Sequence, residues 1–136
     1  MPFEGPKAKI KRAGMQSEAL KVEMDEFFSR DVYRVDQIPD FESGEKRAVF
    51  RCDPIPSGWA MAIGEIAHNL RSSLDHAINE MTVIESGRPL DHTEFPVFDD
   101  EARFLGNTKR GQPTRGSGLF KIRGINEEAM AIVQQL

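Results

Sequence analysis

The residues best suited to chemistry lie in one short stretch of the chain, between positions 65 and 79. The candidates for catalysis are His68, Arg71, Asp75 and His76, and the candidates for binding are Glu65, Asn69, Ser72 and Asn79. A histidine titrates near neutral pH, and a nearby carboxylate can orient its ring. The stretch therefore predicts either general acid–base chemistry or a polar binding site.

Most of these residues lie on one side of a helix predicted over residues 57–84, and His76 and Asn69 lie beside its apolar stripe. Apolar residues recur there at steps of three or four, which is the spacing of an amphipathic helix. They are Trp59, Ile63, Ile66, Leu70, Leu74, Ala77 and Met81. At 100° per residue, His68, Ser72 and Asp75 lie on the opposite side. We therefore expect the apolar stripe to face the core and the polar face to lie opposite it.

The composition of that polar face is unusual for a solvated surface. Exposed helix positions commonly hold Glu, Lys, Gln or Ala, whereas Asn, Ser, Asp and His compete with the helical backbone for hydrogen bonds. Several such residues over three turns indicate a tertiary role. A buried hydrogen-bond network, a ligand or catalytic site and a plain surface all remain open.

Arg71 and His76 also have the Arg-x4-His spacing of HEPN-type ribonucleases. In such a site the arginine would stabilise phosphate charge while the histidine transfers a proton. Ser72 follows the arginine here, where those enzymes have Asn, Gln or His. The resemblance implies a metal-independent ribonuclease, with a homodimer as the expected assembly. The other hypothesis is a binding domain for an unknown ligand, so we leave open whether the chain is an enzyme.

No metal or cofactor is predicted. His68 and Asp75 stand seven residues apart, roughly 10 Å along a helix, whereas ligands that share one helix are separated by three or four residues. Cys52 is the only cysteine, which excludes an internal disulfide. The glycine-rich segment lacks the GxxxxGK[ST] spacing of a P-loop.

The basic residues of the chain are unevenly placed. Residues 103–123 contain six Lys and Arg and no acidic residue, although the net charge is -4. Within them, residues 106–118 hold four glycines and a proline, which predicts a flexible basic loop. Lys109, Arg110 and Arg115 of this loop would contact RNA or another phosphate-bearing partner. A solvated loop is the alternative.

The remaining pattern predicts the elements that position this face. We expect a first helix over residues 7–29, strands over 31–38 and 46–53, an extended segment over 91–98, a short helix starting at Asp99 or Asp100 and a last helix starting near Asn126. The prediction is one α+β domain over residues 1–136. It consists of an antiparallel pair of long helices, a β-hairpin between them in sequence, and short C-terminal helices.

Neither end of the chain carries a recognisable membrane or export signal. No apolar run approaches the ~20 residues that span a bilayer, and the basic start is not followed by an apolar stretch. We therefore expect a cytoplasmic protein with no membrane partner.

The run GEIAHNLRSSLDH at residues 64–76, followed by TEFPVF at 93–98, resembles a family of uncharacterised bacterial and phage proteins. Its members share a helix that reads roughly G-[DE]-x-x-H-N-L-R-S-x-L-D-H, an FPxF segment and a KI-x-G-[LI] stretch, which KIRGI at 121–125 fits. The resemblance covers about residues 55–136 and implies no activity. In that family the last helix runs further. The resemblance and the uncapped helix at Leu136 together predict that the sequence is C-terminally truncated.

Overall fold

The computed structural model describes residues 2–106 and 113–135. Its elements follow the predicted order, with one additional short helix at Gly118–Lys121 that was not predicted. They are α1 (Glu4–Phe28), β1 (Tyr33–Pro39), β2 (Lys46–Cys52), α2 (Gly58–Ser86), α3 (Glu101–Leu105), α4 (Gly118–Lys121) and α5 (Glu127–Gln134). The predicted fold class is confirmed: the protein is α+β, with a two-stranded antiparallel hairpin between two long helices and short helices after them. No helix of the described ranges has the length and apolar character to cross a membrane.

The chain forms two compact units, and both long helices contribute to each of them. Unit 1 consists of Met1–Ala13 and Ala67–Leu136, and unit 2 consists of Gly14–Ile66. In unit 1 the Phe3 N–H donates a hydrogen bond to Glu80 Oε2. Gly5, two residues after Phe3, lies beside His76, which precedes Glu80 by one turn of α2. The first turns of α1 therefore run antiparallel to α2.

Unit 2 contains the same antiparallel pairing and the hairpin. Gln16 Nε2 donates to Glu65 Oε2 at 2.7 Å, and the Phe27 ring lies 5.2 Å from the ring of the buried Trp59. In the hairpin Val35 pairs with Phe50, and both side chains are exposed. The strands begin and end within two residues of the predicted boundaries.

The core of unit 1 lies between α2 and the C-terminal helices. Ile78 and Ile122 are almost completely buried, and Ile125 joins them. Seven partly buried residues pack around this cluster: Met81, Phe95, Phe104, Leu119, Ala129, Met130 and Val133. Asn126 caps α5 by accepting a hydrogen bond from the Ala129 N–H at 2.9 Å, as its position before the helix predicts.

The face of α2 that enters this core differs from the predicted one. Leu70 and Leu74, which belong to the apolar stripe, are 44% and 40% exposed, whereas Ile78 and Thr82 are fully buried. Ile78 and Thr82 lie on the side of the helix that carries Asp75. That side is covered because the segment after α2 folds back against it, and the local pattern of the helix does not encode this contact.

Candidate functional site

The segment that folds back onto α2, residues 93–98, is neither helix nor strand, and the part of the chain that the structure describes offers it no partner strand. Thr93 and Pro96 in it are buried. Backbone N–H and C=O groups that leave water need hydrogen-bond partners, and no neighbouring strand supplies them here. The partners must therefore come from side chains.

Three side chains of α2 supply them. The Phe95 N–H donates to Asp75 Oδ1 at 2.9 Å, and Arg71 Nη2 donates to the Phe95 carbonyl oxygen at 2.7 Å. One turn along, Asn79 Nδ2 donates to the Thr93 carbonyl oxygen at 3.2 Å. We refer to Arg71, Asp75 and Asn79 as the anchoring network, because together they hold both backbone groups of Phe95 and the carbonyl of Thr93.

The members of the anchoring network also orient one another. Arg71 and Asp75 form an ion pair with 3.3 Å between Nη2 and Oδ1, and Arg71 Nε donates to the other carboxylate oxygen at 3.3 Å. Asn79 Nδ2 donates to the Asp75 carbonyl oxygen at 2.8 Å. Charge-assisted hydrogen bonds of this kind are roughly twice as strong as neutral ones. The polar composition of this helix face thus has a structural role.

Four other residues of α2 were predicted as site residues, His68 for catalysis and Glu65, Asn69 and Ser72 for binding. Ser72 and Asn69 are half-buried on α2, and His68 is exposed. Glu65 lies in unit 2, where its carboxylate accepts the hydrogen bond from Gln16. The residues that the structure brings together around one backbone segment are Arg71, Asp75 and Asn79.

Arg71 and His76 point in different directions from α2. Five residues at 100° each place them about 140° apart around the helix axis. The Arg71 guanidinium contacts Asp75 and Phe95, whereas His76 is exposed and lies beside Gly5 of α1. A ribonuclease reaction that uses this pair stays a prediction.

A pocket in unit 1 brings a second set of polar residues together. It has a volume of about 330 Å³ and is lined by His92, Glu94, Arg115, Gly116 and Lys121. We call it the basic pocket, because an arginine and a lysine line it together with a single carboxylate. His92 and Glu94 come from the extended segment, and the other residues come from the turn before α4 and from α4 itself.

The anchoring network determines where the first two of these residues lie. Thr93 is buried, and its two neighbours in sequence, His92 and Glu94, line the basic pocket. Arg123 Nη2 adds a further hydrogen bond at 2.7 Å to the carbonyl oxygen of Asp91, just before this segment.

Backbone conformation contributes at two positions of the basic pocket. His92 has φ = 58°, in the left-handed region that non-glycine residues seldom adopt, and such strain concentrates at functional sites. Gly116 has φ = 92°, which a residue with a side chain would adopt only with strain. These two conformations bring the extended segment and the turn before α4 to the same pocket.

Ion pairs and hydrogen bonds couple the charged groups in the basic pocket. Lys121 Nζ lies 2.5 Å from Glu94 Oε1. The hydrogen bond from Lys121 holds the pKa of Glu94 below its ordinary value of 4.5, and the charges of Lys121, Arg71 and His92 act in the same direction. Partial burial opposes them by favouring the neutral carboxyl. Glu94 is therefore ionised at neutral pH.

The arginine of the pocket contacts its histidine. Arg115 Nη2 lies 2.5 Å from His92 Nε2. An arginine can only donate hydrogen bonds, so His92 Nε2 is the acceptor in this contact. Arg115 has five N–H donors and retains further ones for a ligand.

Lys121 belongs to the basic stretch 103–123 noted in the sequence, whereas His92 and Glu94 were not predicted as site residues. The three residues are separated in sequence and come together only in the fold. Of the three basic residues assigned to the glycine-rich loop, Arg115 lines the basic pocket, and Lys109 and Arg110 lie outside the described residues. The sequence carried one signal for this pocket, which is the high density of Lys and Arg between residues 103 and 123.

Comparison with protein-family models, with curated proteins and with solved structures gave no match. The family resemblance of residues 64–76 therefore stays an expectation. Within the described ranges, no three His, Cys, Asp or Glu side chains lie close enough together to hold a metal ion.

Proposed function

We propose that this protein is a binding module that takes a phosphate-bearing ligand in the basic pocket. The observation that carries the proposal is the convergence of Arg115, Lys121 and His92 on one cavity of about 330 Å³. Guanidinium and ammonium groups are the side chains that most often bind phosphate, through charge-assisted hydrogen bonds. A cavity of this size accommodates one phosphoryl group with part of the molecule that carries it.

The electrostatics of the pocket support an anionic ligand. Arg115 and Lys121 carry two positive charges against the single charge of Glu94, and Arg71 lies close enough to lower the pKa of that carboxyl. An anion would gain contacts with the guanidinium of Arg115 and the ammonium of Lys121. The excess of cations in a concave site also raises the local concentration of anions.

The rigidity of the pocket walls supports the same proposal. The anchoring network fixes the segment that carries His92 and Glu94, and Arg123 fixes the residue before it. A site held in place before binding avoids part of the entropy cost of ordering side chains on the ligand. In this proposal the polar face of α2 supports the binding site and does not itself contact the ligand.

The proposal is tested by isothermal titration calorimetry of the whole chain with inorganic phosphate at low ionic strength. Removing one charged donor should weaken binding about tenfold or more, because a hydrogen bond to a charged group contributes about 1.5–3 kcal/mol. We therefore expect Arg115→Gln and Lys121→Gln each to show this loss. Raising the salt concentration should weaken binding by the wild-type chain.

The matched control is Arg88→Gln, because Arg88 is an exposed arginine of unit 1 that does not line the basic pocket. Its phosphate affinity should equal that of the wild type. A wild-type chain that shows no heat of binding with millimolar phosphate, or an Arg88 variant that loses as much affinity as the pocket variants, would contradict the proposal.

A further inference from the structure

We propose that Glu94 makes the basic pocket selective for oxyanions that keep a proton, such as hydrogen phosphate, over fully deprotonated ones such as sulfate. The inference rests on the proposed function and adds the class of anion that the site prefers. The observation that prompts it is the presence of a carboxylate inside a pocket whose other charged groups are cations.

Glu94 is placed where an incoming anion must meet it. Its Oε1 lies 2.5 Å from Lys121 Nζ, so an anion that binds this ammonium group approaches the carboxylate as well. The Glu94 side chain is 43% exposed and that of Lys121 is 20% exposed, so the carboxylate is the more accessible member of the pair. An anion therefore cannot use Lys121 without a contact to Glu94.

The charge state of Glu94 sets the chemistry of that contact. The Lys121 hydrogen bond and the surrounding positive charges keep the pKa of Glu94 below its ordinary value, so the carboxylate is ionised at neutral pH. An ionised carboxylate only accepts hydrogen bonds. The group on the ligand that faces Glu94 must consequently be a donor.

Phosphate and sulfate differ in this property. Both present acceptor oxygens to Arg115 and Lys121, but at neutral pH only phosphate retains a P–O–H group that can donate to Glu94. Sulfate would place an acceptor against the carboxylate and leave two negative groups in contact. A site built to form a hydrogen bond rejects an analogue that cannot form it, because its polar group is left unpaired.

The test compares phosphate with sulfate by calorimetry at pH 7 and matched ionic strength. We expect the wild-type chain to bind phosphate at least tenfold more tightly than sulfate. Glu94→Gln replaces the carboxylate by an amide that both donates and accepts, so the affinity for sulfate should rise and the ratio should fall towards one. Glu94→Asp, which retains a carboxylate, should keep a preference for phosphate.

The matched control is Glu85→Gln, which removes an exposed carboxylate of α2 outside the pocket and should leave the ratio unchanged. Circular dichroism of each variant establishes that it is folded. Equal wild-type affinity for the two anions, or a Glu94→Gln variant that still prefers phosphate tenfold, would overturn the inference and leave the proposed function intact. Absence of binding by both anions would instead overturn the proposed function.

Discussion

Asp75 and Phe95 are twenty residues apart in sequence, yet the Phe95 N–H donates a hydrogen bond to the Asp75 carboxylate at 2.9 Å. This bond, with the reciprocal one from Arg71 to the Phe95 carbonyl, substitutes for the missing neighbour strand. It connects the polar face of α2 to the segment that supplies two residues of the basic pocket. The helix face and the pocket are thus parts of one arrangement.

Replacing Asp75 should therefore destabilise the protein. Asp75→Ala leaves the Phe95 N–H without its acceptor and removes the carboxylate partner of Arg71, and we expect a loss of about 1.5–3 kcal/mol in the free energy of unfolding, the range for hydrogen bonds to charged groups. Chemical denaturation followed by circular dichroism measures it. Asp99→Ala is the control, because Asp99 also pairs with an arginine four residues away but is 81% exposed.

Exposed ion pairs, such as the one between Asp99 and Arg103, contribute roughly 1 kcal/mol or less to the free energy of unfolding. If Asp75→Ala and Asp99→Ala have the same small effect, the anchoring network does not stabilise the fold.

The segment before α5 approaches α2 closely at Gly124, and this close approach requires a glycine. A Cβ added there would lie 2.4 Å from Thr82 Cγ2 and 2.9 Å from Leu90 Cδ1, both inside van der Waals contact. Thr82 is completely buried, so it has little room to move. We expect Gly124→Ala to lower the free energy of unfolding by about 1–3 kcal/mol, the usual cost of overpacking a core.

Gly64→Ala is the matched control for this substitution, because Gly64 lies in α2 with nothing within 4 Å of an added Cβ. Alanine is favoured over glycine in a helix by roughly 1 kcal/mol, so this variant should be as stable as the wild type or more stable. Equal destabilisation by the two variants would contradict the packing described around Thr82.

The ion pair between Glu94 and Lys121 predicts a pH dependence of stability. The folded state lowers the pKa of Glu94 below 4.5, so the pair stabilises the protein above that pH. The contribution is lost as the pH falls through the folded-state pKa. Glu94→Gln should thus have a lower Tm than the wild type at pH 7, by a few degrees at most, since exposed pairs contribute about 1 kcal/mol or less.

Thermal unfolding of both proteins between pH 7 and pH 3 measures this effect. The difference in Tm should shrink as the pH falls, because the wild-type carboxyl becomes protonated and then resembles the neutral amide. A difference that stays constant across this range would show that the charge of Glu94 is not its source.

The elements of this fold could be predicted from the sequence because their signals are local. The helical repeat from Trp59 to Met81 follows from backbone geometry, and Asn126 caps α5 through a contact three residues away. The buried face of α2 could not be predicted in the same way. It depends on Phe95 and Ile122, which approach the helix from distant parts of the chain.

Only part of the candidate site could be predicted, because only part of it has a signal in the local sequence. The unusual polar residues of α2 indicated a tertiary role, and the anchoring network supplies one through Arg71, Asp75 and Asn79. The basic pocket was not predicted, because its members come from two segments that meet only after folding. Neither the left-handed backbone of His92 nor the ion pair of Glu94 with Lys121 has a signature in the local sequence.

The binding of an anion in the basic pocket is tested most directly by nuclear magnetic resonance. In a titration of the ¹⁵N-labelled chain with inorganic phosphate, the account predicts that the amide signals of His92, Glu94, Gly116 and Lys121 shift together and saturate along one binding curve. The amide signals of hairpin residues such as Tyr33 and Phe50 should not shift. Shifts that occur in the hairpin and not in the pocket, or no saturable shift, would contradict the account.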